Sequence, residues 1–264
     1  MTGEPSRRVQ IQSAPNLRDL GGLVTPDGPT KSGVVYRSAT LSSLTDADAS
    51  ALAALGVRTV YDLRTADEVQ AAPDRLPEQI ERVPLDVLAD SSLSVAARLG
   101  DLSGDPRAFA ASLAGGQAER LFEETYRDLV RLPSALAGYR AFLLGLLDES
   151  REGAALFHCT TGKDRTGWAA ASLLSVAGVG ADDVYADYLQ TNTDLLPALE
   201  PVFRQAEEHG VDREVLMPVL GVRESYLDAA FAQMRAQFGT IEGYATDGLG
   251  LSGDELARLR ALLV

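Results

Sequence analysis

One stretch of this 264-residue chain constrains its fold more than any other: "GAALFHCTTGKDRTGWAAASLLSVAG", residues 153–178. Five residues at its start form a short apolar run suited to a buried strand. The polar run after them contains Gly162, and the spacing then turns helical until Gly178. We read a strand over 154–158, a loop over 159–165 and a helix from 166. A strand feeding a helix in this way belongs to an α/β fold, where ligands bind beyond the carboxyl ends of the strands. The stretch also gathers the chain's only cysteine (Cys159), its only tryptophan (Trp168), one of two histidines (His158) and one of two lysines (Lys163).

Other segments fit the same class. "GVVYRSATL" (33–41), "VRTVYDL" (57–63) and "IERVPLD" (80–86) read as strands. "LTDADASALAALG" reads as a helix with a capping box of Thr45 and Asp48 and a stop at Gly56. A helical period fills 119–148 with a break near Pro133, and from 181 onward the chain is mostly helical, with Pro197, Pro201 and Pro218 at boundaries. Residues 1–15 read as a polar arm. Residues 87–118 lack a firm pattern, apart from a short amphipathic helix in "SLSVAARL", and such a segment is a lid or a mobile insertion. The expectation is a single α/β domain over 1–264, a central sheet flanked by helices, with a helical lid insertion over 87–132 and a mostly helical C-terminal third.

A net charge of -14 disfavours nucleic acid as a partner, because that binding begins with neutralising phosphates. An anionic substrate must then be caught by a local positive site, without long-range steering. No apolar run approaches the eighteen or so residues of a transmembrane segment. The opening residues lack the apolar core of a secretory signal, and a single cysteine makes no internal disulfide. A cytoplasmic location is the default, and export without a leader is compatible with it.

Loop 159–165 has the makings of an anion cradle. Gly162 permits an unusual dihedral, so that successive N–H groups can curl inward, and the helix that follows adds its positive end. Arg165 offers a planar fork matched to two phosphate oxygens. The same surroundings favour the thiolate form of Cys159, as helix N-termini and neighbouring cations do for cysteine generally. A tetrahedral anion above a nucleophilic sulfur implies phosphoryl transfer to that sulfur and hydrolysis by water, with no metal and no cofactor.

"HCTTGKDRTG" resembles the H-C-x5-R signature of the cysteine-dependent protein tyrosine phosphatases. In its fuller H-C-x-x-G-K-D-R-T-G form it is similar to a bacterial branch of tyrosine and phosphoinositide phosphatases. "NLRDLGG", "YRSATLSSL", "YDLRTADEV", "ADYLQTN" and "GVRESYLDAA" extend the likeness over most of the chain, with 87–118 matching least. The resemblance implies a cysteine-phosphatase-like sheet, a phosphorylated protein or a phosphoinositide as substrate, and inorganic phosphate as product. It implies Cys159 as nucleophile, Arg165 as phosphate clamp, and the amides of Thr160, Thr161, Gly162, Lys163 and Asp164 as phosphate donors. Thr166 would hydrogen-bond the sulfur, and a buried His158 would orient the loop. Lys163, a second cation in the loop, would suit a substrate with more than one phosphate.

Two carboxylates compete as general acid. Asp164 lies in the loop itself, and Asp86 follows the strand at 80–86, where related dual-specificity enzymes carry their acid. Asp164 is favoured because it needs no loop closure to act. Asp62 and Arg64, with Arg18 and Asp19, read as one buried ion-pair network bracing the site, and Arg37 and Arg223 are of the same kind. A catalytically inactive phosphate-binding module is the alternative reading, and a sulfur-transfer enzyme of the rhodanese kind ranks below it.

Overall fold

The computed structural model describes residues 7–91, 106–113 and 115–264. A five-stranded sheet lies at its centre, in the order β1 (Arg18–Asp19), β4 (Val35–Ser38), β7 (Ala154–His158), β5 (Val57–Asp62), β6 (Glu81–Pro84). Strands β2 (Val24–Thr25) and β3 (Gly28–Pro29) form a separate two-stranded ribbon. Within the main sheet β1 is antiparallel to β4, and β4, β7, β5 and β6 run parallel. All five residues of β7 are buried, as a parallel strand covered on both faces requires. Its side chains alternate between two cores: Ala155 and Phe157 join the large helical one, Ala154 and Leu156 the smaller one beneath helix α1 (Asp46–Ala54).

Registry sets the position of the site. His158 pairs with Ser38 on one side and Asp62 on the other, so three parallel strands end level and loop 159–164 leaves from the middle of that edge. The chain then enters a central helix, Arg165–Val176, one residue earlier than the spacing predicts. Alanines and Gly167 bring it close to its neighbours: a Cβ at Gly167 would stand 3.0 Å from the Tyr188 ring. Trp168 is fully buried, edge-on to Phe231 and Tyr244, and its indole N–H donates to the Tyr244 hydroxyl at 3.1 Å.

The remaining helices wrap this centre. Taken in chain order with α1 and the central helix, those of six residues or more among the described residues are α2 (Ala66–Ala71), α3 (Pro106–Leu113), α4 (Gln117–Arg131), α5 (Pro133–Leu146), α6 (Arg165–Val176), α7 (Ala181–Leu195), α8 (Glu200–Glu208), α9 (Arg213–Leu220), α10 (Glu224–Phe238) and α11 (Gly253–Leu263). The α/β architecture with its helical C-terminal part is therefore as the sequence predicts. No single helix among the described residues is long and apolar enough to cross a membrane; α4 and α5 pass that test only as a pair, bent by 61°.

Several local expectations need correction. From Arg7 onward the polar arm packs on the sheet edge, with Arg8 bridged to Arg18 and Ile11 and Ala14 buried. Thr45 caps α1, but Asp48 does not reciprocate, because its carboxylate accepts from Ser13. Complete capping boxes occur instead at Thr65–Glu68 and Ser252–Glu255. Pro218 lies inside α9 rather than at a boundary, and its carbonyl accepts from the Tyr226 hydroxyl. The expected cover over 87–132 divides in two. The helix read in "SLSVAARL" lies outside the described residues, whereas α4 is a core helix that buries Phe122, Tyr126 and Leu129 and stacks Phe122 on Tyr226 at 5.3 Å.

Candidate active site

The loop after β7 is shaped from outside, through its carbonyls. His158 Nδ1 lies 3.1 Å from the Cys159 carbonyl, and the Thr40 N–H donates to that of Thr160 at 3.1 Å. Asn16 Nδ2 reaches the carbonyls of Thr161 (3.4 Å) and Gly162 (2.9 Å), and Arg37 Nη2 donates to the same Gly162 oxygen at 2.9 Å. In a trans peptide C=O and N–H point in opposite directions. Four carbonyls drawn outward therefore turn the N–H groups of Thr160, Thr161, Gly162 and Lys163 inward, the disposition that an anion nest requires. Gly162 adopts φ 67° with its α-carbon against Ser38, where a Cβ would lie 2.3 Å from the Ser38 carbonyl oxygen, so only glycine fits.

Cys159 sits at the floor of this ring and is 1% exposed. Thr160 is exposed at the mouth, Thr161, Asp164 and Arg165 are half-buried, and Gly162, Lys163 and Thr166 are buried. An ionised sulfur at Cys159 favours the cationic forms of both Arg37 and Arg165. Thr166 does not make the expected hydrogen bond: its hydroxyl is buried without a partner among the described residues.

Arg165 is gripped by a residue that the sequence reading does not single out. Glu68, on α2, accepts from Arg165 Nη1 at 2.5 Å and Nη2 at 2.7 Å, and also from the Thr160 hydroxyl at 2.5 Å. Nη1 further approaches the Leu63 carbonyl at 3.4 Å. Burial alone would raise the Glu68 carboxyl, but the hydrogen bonds and charge of Arg165 prevail and hold it at about 2. Arg165 responds in kind: burial opposes its charge, and Glu68 more than restores it. The capping box Thr65-x-x-Glu68 in "YDLRTADEV" is the one sequence signal that points to Glu68, and it points only to a helix start.

Asp164 and Lys163 form an ion pair, Nζ to Oδ1 at 2.9 Å. The ammonium lies 3.9 Å from the centroid of the Phe122 ring, with its side chain 3% exposed, so it does not project into the mouth as a second phosphate receptor would. The Tyr126 hydroxyl donates to the same Oδ1 at 3.1 Å and stands 2.7 Å from the Tyr188 hydroxyl. Burial raises both phenols well above their ordinary value and the charge of Asp164 adds to it, while the hydrogen bond from Tyr126 partly offsets the rise at Tyr188. Asp164 Oδ2 takes no hydrogen bond among the described residues. Asp86 is differently engaged: its two oxygens accept from the backbone of Ala66 (3.2 Å) and Leu88 (3.0 Å), which caps the start of α2.

Two buried ion networks brace the loop, where the sequence predicts one. Behind it, Asp187 holds Arg18 (3.0 Å), Arg37 (2.8 Å) and Arg7 (2.8 Å). Burial would raise Asp187, yet Arg18, Arg37 and Arg7 together keep it well below the usual carboxylate range. Burial and the nearby Arg18 push Arg37 down to about 10, which leaves it charged at neutral pH. Beside the loop, Arg64 binds Asp62 (2.7 Å) and Asp74 (2.9 Å), Arg82 binds Asp62 (2.9 Å), and His158 Nε2 meets Asp74 at 3.1 Å. Asp19 belongs to neither, since its carboxylate accepts from the N–H groups of Gly21 and Gly33. Arg223 pairs with Glu119 at the surface. Asp62, Asp74 and His158 have ligand atoms within 4.8 Å of one another, but Arg64 already supplies the positive charge that a metal would bring.

A mixed central sheet whose parallel strands end level at a cysteine-bearing loop, with an arginine at the first turn of the next helix, is consistent with the α/β architecture of a phosphatase. Residues 9–264 match the model of the tyrosine phosphatase family, and the chain belongs to that family. It is 31% identical over 281 residues to the triple specificity protein phosphatase PtpB of Mycobacterium tuberculosis, covering 97% of this chain and 98% of that one. A relative from Cupriavidus necator, assigned by name to the tyrosine-protein phosphatases, is 33% identical over 247 residues, 93% of this chain and 84% of its own. A tyrosine-protein phosphatase of Nostoc commune is 29% identical over 241 residues, 86% and 73% of the two chains.

Proposed function

We propose that this protein hydrolyses phosphotyrosine in proteins in two steps, through a phosphocysteine at Cys159. In the first, Sγ attacks phosphorus while the bond to the aryl oxygen breaks, and Asp164 gives that oxygen a proton from Oδ2. In the second, the Asp164 carboxylate takes a proton from water, whose oxygen attacks phosphorus and releases the thiolate and inorganic phosphate. The inward amides and the Arg165 guanidinium stabilise the equatorial oxygens in both steps. The observation that carries this reading is the anchoring of four successive loop carbonyls, which begin with that of the only cysteine, by groups packed around the loop.

The Mycobacterium relative is named a triple specificity protein phosphatase, which supports a substrate range wider than phosphotyrosine, and we extend the proposal to phosphoserine, phosphothreonine or phosphoinositides. The pairing of Lys163 with Asp164 lends no support to a dedicated second-phosphate site. Cys159 and Asp164 in one loop, with Arg165 at the first turn of the helix after it, favour an enzyme over an inactive phosphate-binding module. The test is turnover of p-nitrophenyl phosphate. A burst that is lost in Cys159→Ser and unaffected by EDTA supports the mechanism, and turnover surviving in Cys159→Ser refutes it.

A further inference from the structure

We propose that Asn16 is a positioning residue for the phosphate cradle, an assignment that rests on reading residues 159–165 as that cradle. Its side-chain amide fixes the direction of the Lys163 N–H by holding the carbonyl at the other end of the same peptide bond.

Asn16 is 2% exposed and is the one non-glycine residue among those described with a positive φ, 61°. Asparagine is among the few residues that adopt this conformation readily. Its Oδ1 accepts from Arg18 Nη1, and Arg18 is itself tied to Asp187. That contact assigns the oxygen of the amide to Arg18 and its nitrogen to the loop. Nδ2 then donates to Gly162 O at 2.9 Å and approaches Thr161 O at 3.4 Å.

The peptide so held is the one with most need of a hold. Gly162 has the freest backbone in the loop, and at φ 67° the peptide after it has no side chain to oppose a flip. A flip would withdraw the Lys163 N–H from the bound anion and present a carbonyl oxygen to it. Arg37 shares the Gly162 oxygen, but its other terminal nitrogen is committed to Asp187. Among the described residues Asn16 alone spans two successive carbonyls of the ring, and it thereby sets the affinity of the loop for a tetrahedral oxyanion.

Two substitutions separate positioning from folding. Asn16→Gly keeps the backbone conformation and removes the donor. Asn16→Asp keeps shape and backbone preference but turns an acceptor toward two carbonyls. The measurement is the competitive inhibition constant of inorganic phosphate against p-nitrophenyl phosphate, alongside the melting temperature. The constant should rise about tenfold in Asn16→Gly, as for the loss of one hydrogen bond to a charged group, and further in Asn16→Asp. KM should rise in step. A purely structural role would lower the melting temperature and the active fraction but leave the inhibition constant unchanged, because that constant does not depend on how much enzyme is active. A constant within twofold of wild type in Asn16→Gly overturns the proposal; if Asn16→Asp does not fold, Asn16→Gly alone decides. Protection of Cys159 from iodoacetate by phosphate gives the same comparison without turnover, and equal protection of wild type and Asn16→Gly also overturns it. Should wild type be neither inhibited nor protected by phosphate, the cradle reading itself fails, which is a different result from two equal constants.

Discussion

Glu68 and Arg165, 97 residues apart in sequence, meet end-on: both terminal guanidinium nitrogens face the two carboxylate oxygens. Both ends of the fork are thus occupied, and the Nε–H has no acceptor among the described residues. The two-oxygen phosphate contact proposed for Arg165 is therefore left the side of the fork, along the Nε–Nη2 edge. Glu68→Gln should let the guanidinium rotate and lower kcat/KM by about tenfold, the effect of weakening one charged hydrogen bond.

The same pair predicts a pH dependence of stability. The Glu68 carboxyl is held at about 2, below its ordinary value of 4.5. Its contribution is therefore complete above the ordinary value and disappears as pH falls toward 2. That contribution is on the order of 3 kcal/mol. Urea unfolding of wild type and Glu68→Gln should differ most near neutral pH and converge near pH 2. A constant difference across that window would remove Glu68 from the acid response.

Asp164 and Asp86 are separable by leaving group. Asp164→Asn should lower kcat by about 10²–10⁴ for a phosphotyrosyl peptide, the usual yield of a positioned acid. The loss should be smaller for p-nitrophenyl phosphate, whose leaving group needs less protonation. Asp86→Asn, at a side chain that accepts only from the backbone of Ala66 and Leu88 among the described residues, should stay within about threefold on either substrate. Steady-state rates on the two substrates decide between the carboxylates.

Tyr126 ties Asp164 to the core helix α4. Tyr126→Phe leaves the Tyr188 hydroxyl without its 2.7 Å partner and should destabilise the fold by about 1–2 kcal/mol. It also leaves the Asp164 carboxylate held by Lys163 alone among the described residues, so kcat should fall while KM holds. Thermal melts and the split of kcat from KM read the two effects independently.

Lys163→Met tests what the second loop cation does. Its ammonium is held between Asp164 and the Phe122 ring, with methylenes that methionine can replace. The rate on a monophosphorylated substrate and on a bisphosphorylated phosphoinositide should fall by the same factor. A loss confined to the bisphosphorylated substrate would show that Lys163 leaves Asp164 to bind a second phosphate.

How much of this was legible beforehand depended on the distance over which each residue acts. The strand at 154–158 and the helix beyond it follow from local periodicity, and the cradle from a glycine flanked by rare reactive groups. The roles of Asn16, Glu68 and Tyr126 depend on which distant segments the sheet brings to one edge, and no local pattern carries that. Glu68 shows the limit: "TADE" announces a helix cap, and Oε2 of that cap is also an acceptor for Arg165. Asp62 and Arg18 look alike as charged residues beside strands, yet β4 and β7 separate their strands in the sheet. Pro218 reads as a breaker because proline lacks an N–H, and tertiary contact through Tyr226 overrides that preference.

The ring above Cys159 is assembled from residues 16, 37, 40 and 158, and Arg37 waits on Asp187. A growing polypeptide that has released Arg165 from the ribosome still lacks the anion that steadies Arg37. Dephosphorylation should accordingly begin late in synthesis, after the chain has passed Asp187, and a nicked or truncated product ending before it should be silent toward phosphate esters rather than partially active.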